Sequence, residues 1–500
     1  MPLPLRNYLL AALLGAASVF AFAPFELYPL AGLTVGGLYW LLRDTNTRRP
    51  TLRAALLTGF AFGTGYFLAG VSWVYVSMHD VGGMPLPLAA LAALLFCLTL
   101  ALFPALAAGA MQRLAPSSAW CRSLLFAAVW MLGEWLRGWV FSGFPWLLLG
   151  SSQTPPSPLA GFAPLLGVLG LSFIVAFIGA ALVEALLLWR ERRLGALCRL
   201  GVVAALLLTG SQIGDIRWTQ AVGQPLSVAL LQGNIEQEMK WRPERFRESL
   251  DTYYRLMREH PARLTVLPET ALPSFYDRLP PDYLEALRRL ARREQGDVLL
   301  GVVTGDGGAY RNAALSLGSA PEQGYAKRHL VPFGEFVPAG FSWFMALIDM
   351  PLSGFTAGPA KQAPLTLAGQ HIAVNICYED VFASEIAERA AAATLLINLS
   401  NTAWFGHSLA QPQHLQIARM RAMETGRPML RATNTGMTAL IEADGRVAAA
   451  LPAFTRDALV VQVRGREGLT PYLYLGDSAI LALAGLIVLL AVVRLRRGGD

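Results

Sequence analysis

Charge is what this chain has least of. Of its 500 residues 15% are charged and 54% are apolar, a mix that excludes an ordinary soluble enzyme. Cysteine is scarce too. Cys97, Cys121, Cys198 and Cys377 stand at no paired or metal-like spacing, so neither a disulfide nor a cysteine-based metal site is expected. Nucleotide-binding and metal-binding motifs are missing, and no cofactor is implied. The formal charge is +7, yet no basic patch carries interleaved aromatics, which argues against a nucleic-acid partner. Internal repeats and low-complexity tracts are lacking as well.

What the chain does have is apolar runs. Leu9–Phe22, Leu27–Leu42, Ala54–Met78, Pro85–Met111, Ser123–Val140, Phe162–Leu188, Leu194–Ser211 and Tyr472–Val493 read as eight transmembrane helices. The first two are short for a full crossing and suit tilted spans or a tight helical pair. A cleaved signal peptide is the alternative for the first, but little basic content precedes it and further spans follow.

Arginine sets the orientation. Fourteen arginines, from Arg6 to Arg497, fall in connections on one side of these spans. The opposite loops, around Pro24–Glu26, Ser77–Met84 and Phe141–Gly161, carry no Lys or Arg. Both termini are then cytoplasmic, and the polar region lies across the membrane. The expected domains are 1–212 (seven helices), 213–471 (an extracytoplasmic domain), 472–493 (the eighth helix) and 494–500 (a cytoplasmic tail). Residues 213–471 hold 26 basic and 26 acidic side chains, so the charge excess belongs to the membrane part.

Two features of that part exceed hydropathy. Glu134 and Arg137, three apart near the outer end of the fifth span, suit either pairing on one helix face or contact with a lipid head group or with the outer domain. The aromatic loop Phe141–Gly161 reads as an interfacial anchor or as a lining for a substrate entrance.

In the polar region strand-like and helix-like segments alternate, which argues a layered α/β fold. Strands are expected at Leu226–Leu231, Leu264–Leu267, Val298–Val303, Arg311–Leu317, Gly324–Leu330, Ile372–Ile376, Thr394–Asn398, Met429–Ala432, Met437–Glu442 and Ala458–Val463. Helices are expected at Pro243–Glu259, Asp282–Arg293, Phe382–Ala392 and Gln411–Thr425. Phe333–Ala360 is long, aromatic and carries only Glu335 and Asp349 as charges. It reads as an apolar flap dipping towards a bilayer, with a buried structural loop as the alternative.

The strand Ile372–Ile376 runs straight into Cys377. Glu269 follows Pro268 at another strand end, and Lys327 lies on a third segment. Presented together, these three would form a thiolate, accept its proton and steady a developing negative charge. Each also has an inert reading, as packed thiol, surface carboxylate or solvated base.

At this point the chain resembles a known family. Leu267-Pro268-Glu269-Thr270, Lys327-Arg328-His329-Leu330-Val331-Pro332-Phe333-Gly334-Glu335 and Ile376-Cys377-Tyr378-Glu379 are similar to the three signature blocks of the carbon-nitrogen hydrolase (nitrilase) superfamily. Gln232-Gly233-Asn234-Ile235 with Lys240-Trp241, Asn401 to Gly406, and Ala418 to Pro428 resemble one membrane branch, the bacterial apolipoprotein N-acyltransferases. Asn401-Thr402 departs from the Asn-Asp-like pair expected there.

The resemblance implies an αββα sandwich, with Cys377 as nucleophile, Glu269 as general base and Lys327 as oxyanion-stabilising cation. It makes Glu335 a second carboxylate that positions the lysine, and it has Tyr378, Glu379, Trp241 and Asn401 shape the pocket. It further implies a monomeric, multi-pass enzyme of the bacterial inner membrane with a periplasmic catalytic domain. Its partners would be membrane lipids, a glycerophospholipid acyl donor such as phosphatidylethanolamine, and an S-diacylglyceryl apolipoprotein acceptor. Two rival readings share fewer features: a membrane-tethered amidase or nitrilase acting on a small amide, and a non-enzymatic transporter or assembly protein.

Overall fold

Small residues decide how the apolar helices meet. In the computed structural model, which describes residues 3–43, 51–235, 243–306, 308–338, 340 and 354–497, the chain divides into two units. The first comprises Met1–Tyr75, Pro87–Ile216 and Tyr474–Asp500. Its helices are Leu3–Ala17, Pro29–Leu42, Leu52–Val71, Leu86–Leu114, Ala119–Arg137, Ala163–Leu188, Arg193–Gly214 and Ser478–Arg497. Among the described residues five of these, counting Pro158–Leu188 as one, are long and apolar enough to cross a membrane; Leu5–Ala21 and Pro29–Leu42 are shorter apolar helices.

Gly36 and Gly179 show the packing rule. A Cβ at Gly179 would stand 2.4 Å from the Gly32 carbonyl oxygen, and one at Gly36 would stand 2.8 Å from that of Gly179. Two backbones touch there, which small residues alone permit.

Buried polar groups in this unit hold chain to chain. Tyr39 donates to Glu184 Oε1 at 2.5 Å, and Arg43 Nε lies 3.1 Å from the same oxygen. Arg137 Nη1 donates to the carbonyls of Phe144 (2.7 Å) and Trp146 (2.6 Å). Glu134 Oε1 accepts from Trp130 Nε1 at 3.1 Å and from the Leu149 amide at 2.8 Å. Glu134 and Arg137 thus fold the aromatic loop back onto its own helix.

The second unit, Val76–Leu86 with Arg217–Leu473, contains two six-stranded sheets. In chain order the strands are β1 (Gln220–Gln232), β2 (Leu264–Val266), β3 (Asp297–Asp306), β4 (Ala309–Gly318), β5 (Gly324–Ala326), β6 (Leu365–Leu367), β7 (Gln370–Ile376), β8 (Leu395–Ser400), β9 (Met429–Thr433), β10 (Ala439–Ile441), β11 (Val447–Ala450) and β12 (Asp457–Glu467). The sheet orders are β12-β1-β2-β3-β4-β5 and β11-β10-β9-β8-β7-β6. Each has a parallel centre, β1-β2-β3 in one and β7-β8-β9 in the other, flanked by antiparallel strands.

Alternation along the strands builds four layers. Val228 and Leu230 of β1 join Ile372, Val374 and Ile376 of β7 in a core between the sheets. Their neighbours Ala229 and Leu231 point the other way, onto Leu250 and Tyr253 of the helix Pro243–Glu259 and Leu287 of Pro281–Arg293. Ala373 and Leu396 likewise face Ile386 of the helix Ala383–Ala390 and Leu415 and Ala418 of Ala410–Thr425. Period-two side chains on twice-covered sheets give this αββα order directly.

The expected strand Gly324–Leu330 stops at Ala326, so Lys327 lies just past its end. Two strands went unexpected, β6 and β11, both short and at sheet edges.

Replacing Gly179 by Val should destabilise the first unit by about 1–3 kcal/mol, because neither backbone can give way without moving its helix. Thermal unfolding in detergent reads this; an unshifted midpoint would contradict the close contact.

Candidate active site

The C-terminal ends of strands in the two sheets carry the candidate groups. Glu269 stands three residues beyond β2, Cys377 directly follows β7, and Asn401 directly follows β8. Lys327 directly follows β5, which runs parallel to β3 because β4 is antiparallel to both. All four thus sit at C-terminal ends of parallel-running strands, where an α/β sheet opens a crevice.

The charged groups converge. Lys327 Nζ lies 3.4 Å from Glu269 Oε1 and 2.9 Å from Glu335, with the ammonium almost wholly buried. Asn312 Nδ2 joins the same two carboxylates, donating to Glu269 Oε1 at 2.7 Å and Glu335 Oε1 at 2.9 Å. The far oxygens are held by backbone: Asn401 N donates to Glu269 Oε2 at 2.7 Å, and Val331 N to Glu335 Oε2 at 2.8 Å. Asn312 was not foreseen; it is one of two buried polar side chains on β4, the other being Ser316.

Cys377 belongs to this group electrostatically. Burial pushes its thiol well above the ordinary range, Glu269 pushes it further, and Lys327 opposes them. Burial alone would lower the Lys327 ammonium, but Glu335 and Glu269 overcome that and hold it above its usual value. Both directions favour a neutral thiol together with a charged ammonium. Ionisation of sulfur must accompany transfer of its proton to a base, and Glu269 is the carboxylate that acts most strongly on the thiol.

Backbone conformation marks the same residue. Cys377 has φ +53, a left-handed conformation that costs a non-glycine residue about 1–2 kcal/mol. It opens a 3-10 turn, Cys377–Val381, so the strand reverses sharply at the sulfur. Such strain persists where the surroundings over-determine it.

Glu379 is the chief brace. It is fully buried and accepts from Ile376 N (2.7 Å), Tyr325 OH (2.7 Å), Arg328 N (2.8 Å) and His329 N (3.2 Å). It therefore ties the cysteine turn to the segment after Lys327 and does not line an open pocket. Burial, then Glu379, keeps the Tyr325 phenol neutral and a donor. Tyr378 packs edge-on against Phe382 with ring centres 5.2 Å apart. The Asn401 side chain accepts from Asn434 Nδ2 at 3.1 Å, so its amide serves Glu269 while its side chain serves the scaffold.

Trp241 and half of the expected flap, residues 339 and 341–353, lie outside the described residues. The stems of the flap are within them. Gly354 N and Phe355 N donate to the Glu335 carbonyl at 3.0 and 2.8 Å, and Gly358 N donates to the Lys327 carbonyl at 2.7 Å. Among the described residues no group of three or more His, Cys, Asp or Glu could hold a metal ion.

Residues 14–181 match the family described as Apolipoprotein N-acyltransferase N-terminal domain, and residues 227–472 match Carbon-nitrogen hydrolase. The chain is 48% identical over 481 residues to the Apolipoprotein N-acyltransferase of Nitrosomonas europaea, covering 95% of each. It is 46% identical over 499 residues to that of Chromobacterium violaceum, covering 98% of this chain and 95% of the other. The chain belongs to the apolipoprotein N-acyltransferase family. Within this acyltransferase family member, the carbon-nitrogen hydrolase match takes in every site residue named above.

A thiol held above its ordinary range reacts faster with each rise in pH until that range is passed. Alkylation of Cys377 by iodoacetamide, read by peptide mapping, should still be climbing at about pH 9, where an unperturbed thiol is mostly ionised. A plateau near neutrality would mean a pre-formed thiolate and would remove the need for Glu269 as base.

Proposed function

We propose that this chain N-acylates the S-diacylglyceryl cysteine of apolipoproteins, using a glycerophospholipid such as phosphatidylethanolamine as donor. The observation that carries the proposal is the buried Glu269–Lys327 pair acting on the Cys377 thiol, in a member of the apolipoprotein N-acyltransferase family. Glu269 takes the thiol proton as sulfur attacks the donor ester carbonyl, and Lys327 stabilises the oxyanion. The carbonyl–oxygen bond breaks, the proton passes to the departing glycerol oxygen, and a lysophospholipid leaves a thioester behind.

The acceptor's α-amine then attacks the thioester carbon. With a pKa near ~8 much of it is protonated at neutral pH, so a carboxylate must take its proton. Glu269, freed after the first half, takes it. The carbon–sulfur bond breaks, the thiol regains a proton, and an amide remains. Glu335 positions Lys327, and Tyr378 and Asn401 shape the pocket, a role the family resemblance also gives to Trp241. Glu379 contributes as the brace described above.

The same reading places eight helices across a bacterial inner membrane, both termini in the cytoplasm and residues 213–471 in the periplasm, as a monomer. The one-sided arginines support that orientation, and the apolar surface of Ser478–Arg497, whose Leu483, Leu486, Leu489 and Leu490 are about half exposed, supports a span there.

Incubating the purified protein with phospholipid alone should add one acyl chain to Cys377, seen by intact mass and removed by neutral hydroxylamine. A diacylated lipopeptide should then discharge it as amide. Release of free fatty acid with no amide would favour the amidase-like alternative, and a Cys377→Ser protein acylating lipopeptide at the native rate would refute the nucleophile.

A further inference from the structure

A second buried polar cluster lies behind the cysteine turn, and the proposed cycle makes no use of it. Asp380 is the fourth residue of that turn and is wholly buried. His414 Nε2 lies 2.7 Å from its Oδ1, and Arg431 Nη1 donates to its Oδ2 at 3.2 Å. The same Arg431 nitrogen donates to Asn398 Oδ1 at 3.1 Å, and Asn398 Nδ2 donates to the Cys377 carbonyl at 3.1 Å. One guanidinium nitrogen therefore serves both ends of the turn that bends at Cys377.

The proton on His414 can be placed. Arg431 Nη2 lies 2.8 Å from His414 Nδ1, and a guanidinium only donates, so Nδ1 accepts. The imidazole proton is then on Nε2, donated to Asp380. Burial and then Arg431 lower the His414 pKa, consistent with a neutral ring. Arg431 and Asp380 balance each other in charge. The cluster is a neutral clamp made from β8, β9 and the helix Ala410–Thr425, closed upon a left-handed residue that does not hold that conformation unaided.

We propose that Asp380, His414 and Arg431 are positioning residues, which keep the Cys377 turn in its reactive conformation by a fixed relay from Arg431 through Nε2-protonated His414 to Asp380. The proposal rests on the reading of Cys377 as nucleophile, but its first test does not need acyl transfer.

In full-length protein in detergent, His414→Ala should slow iodoacetamide alkylation of Cys377 about tenfold, while His414→Gln, which can still donate to Asp380, should recover most of the rate. Acylation of Cys377 by phospholipid should fall and recover in parallel, with the unfolding midpoint of His414→Gln within a few degrees of native. Native-rate alkylation in His414→Ala would overturn the proposal. So would equal slowing in both variants in proportion to lost thermal stability, since that is a packing effect. If alkylation follows the prediction but phospholipid never acylates native Cys377, the clamp stands and the nucleophile reading falls.

Discussion

A buried ammonium between two carboxylates is the interaction on which the rest of the site depends. Lys327 is almost fully enclosed, and a charge in that position is tolerated only when paired and hydrogen-bonded. Glu269 and Glu335 supply the pairing; Asn312, Asn401 N and Val331 N fill their remaining acceptor positions. No member can be removed without stranding another, at about 3–5 kcal/mol for a broken buried pair. The reactive geometry is thus a by-product of electrostatic necessity. The two sheets bring these strand ends together, and the charges then have one low-energy arrangement.

That arrangement extends beyond the triad. The described stems of the Phe333–Ala360 segment are bonded to the Lys327 and Glu335 carbonyls, so the segment is fastened to the same backbone that carries the cation. In the proposed transfer, a thioester has to outlast its exposure to water until an amine arrives, and a soluble hydrolase has no such need. In that proposed cycle, keeping water out is the task of the flap, whose described stems are fastened at the site.

Much of this was legible in the chain, for reasons that differ by element. Strands β1, β7 and β8 announce themselves because burial on both faces requires nearly unbroken apolar runs. β6 and β11 do not: three and four residues at a sheet edge leave too short a pattern, and Val447 is exposed. Glu269, Lys327 and Cys377 become candidates only through motif blocks, since each stands alone as an unremarkable residue. Asn312 and the Asp380–His414–Arg431 cluster were not found. The helix Ala410–Thr425 is buried on every side, so its sequence shows no polar face against which His414 would stand out. A buried Arg in a strand and a partner seventeen residues away on a helix become a pair only after the fold has formed.

The charge pattern around the sulfur also bears on direction. Glu269, Glu335 and Asp380 all disfavour a thiolate at Cys377, and Lys327 opposes them only in part. A free thiol and a thioester are both neutral at sulfur, so neither meets that penalty. The environment that makes Cys377 slow to ionise therefore also makes it a poor leaving group from the acyl-enzyme unless a proton is supplied. In the proposed cycle that proton originates on the acceptor amine and reaches sulfur through Glu269. Discharge is then coupled to arrival of a proton-bearing nucleophile, amine or water alike, so the choice of amide over acid rests on keeping water out, and a site with an acidic, pre-ionised cysteine would lack that coupling.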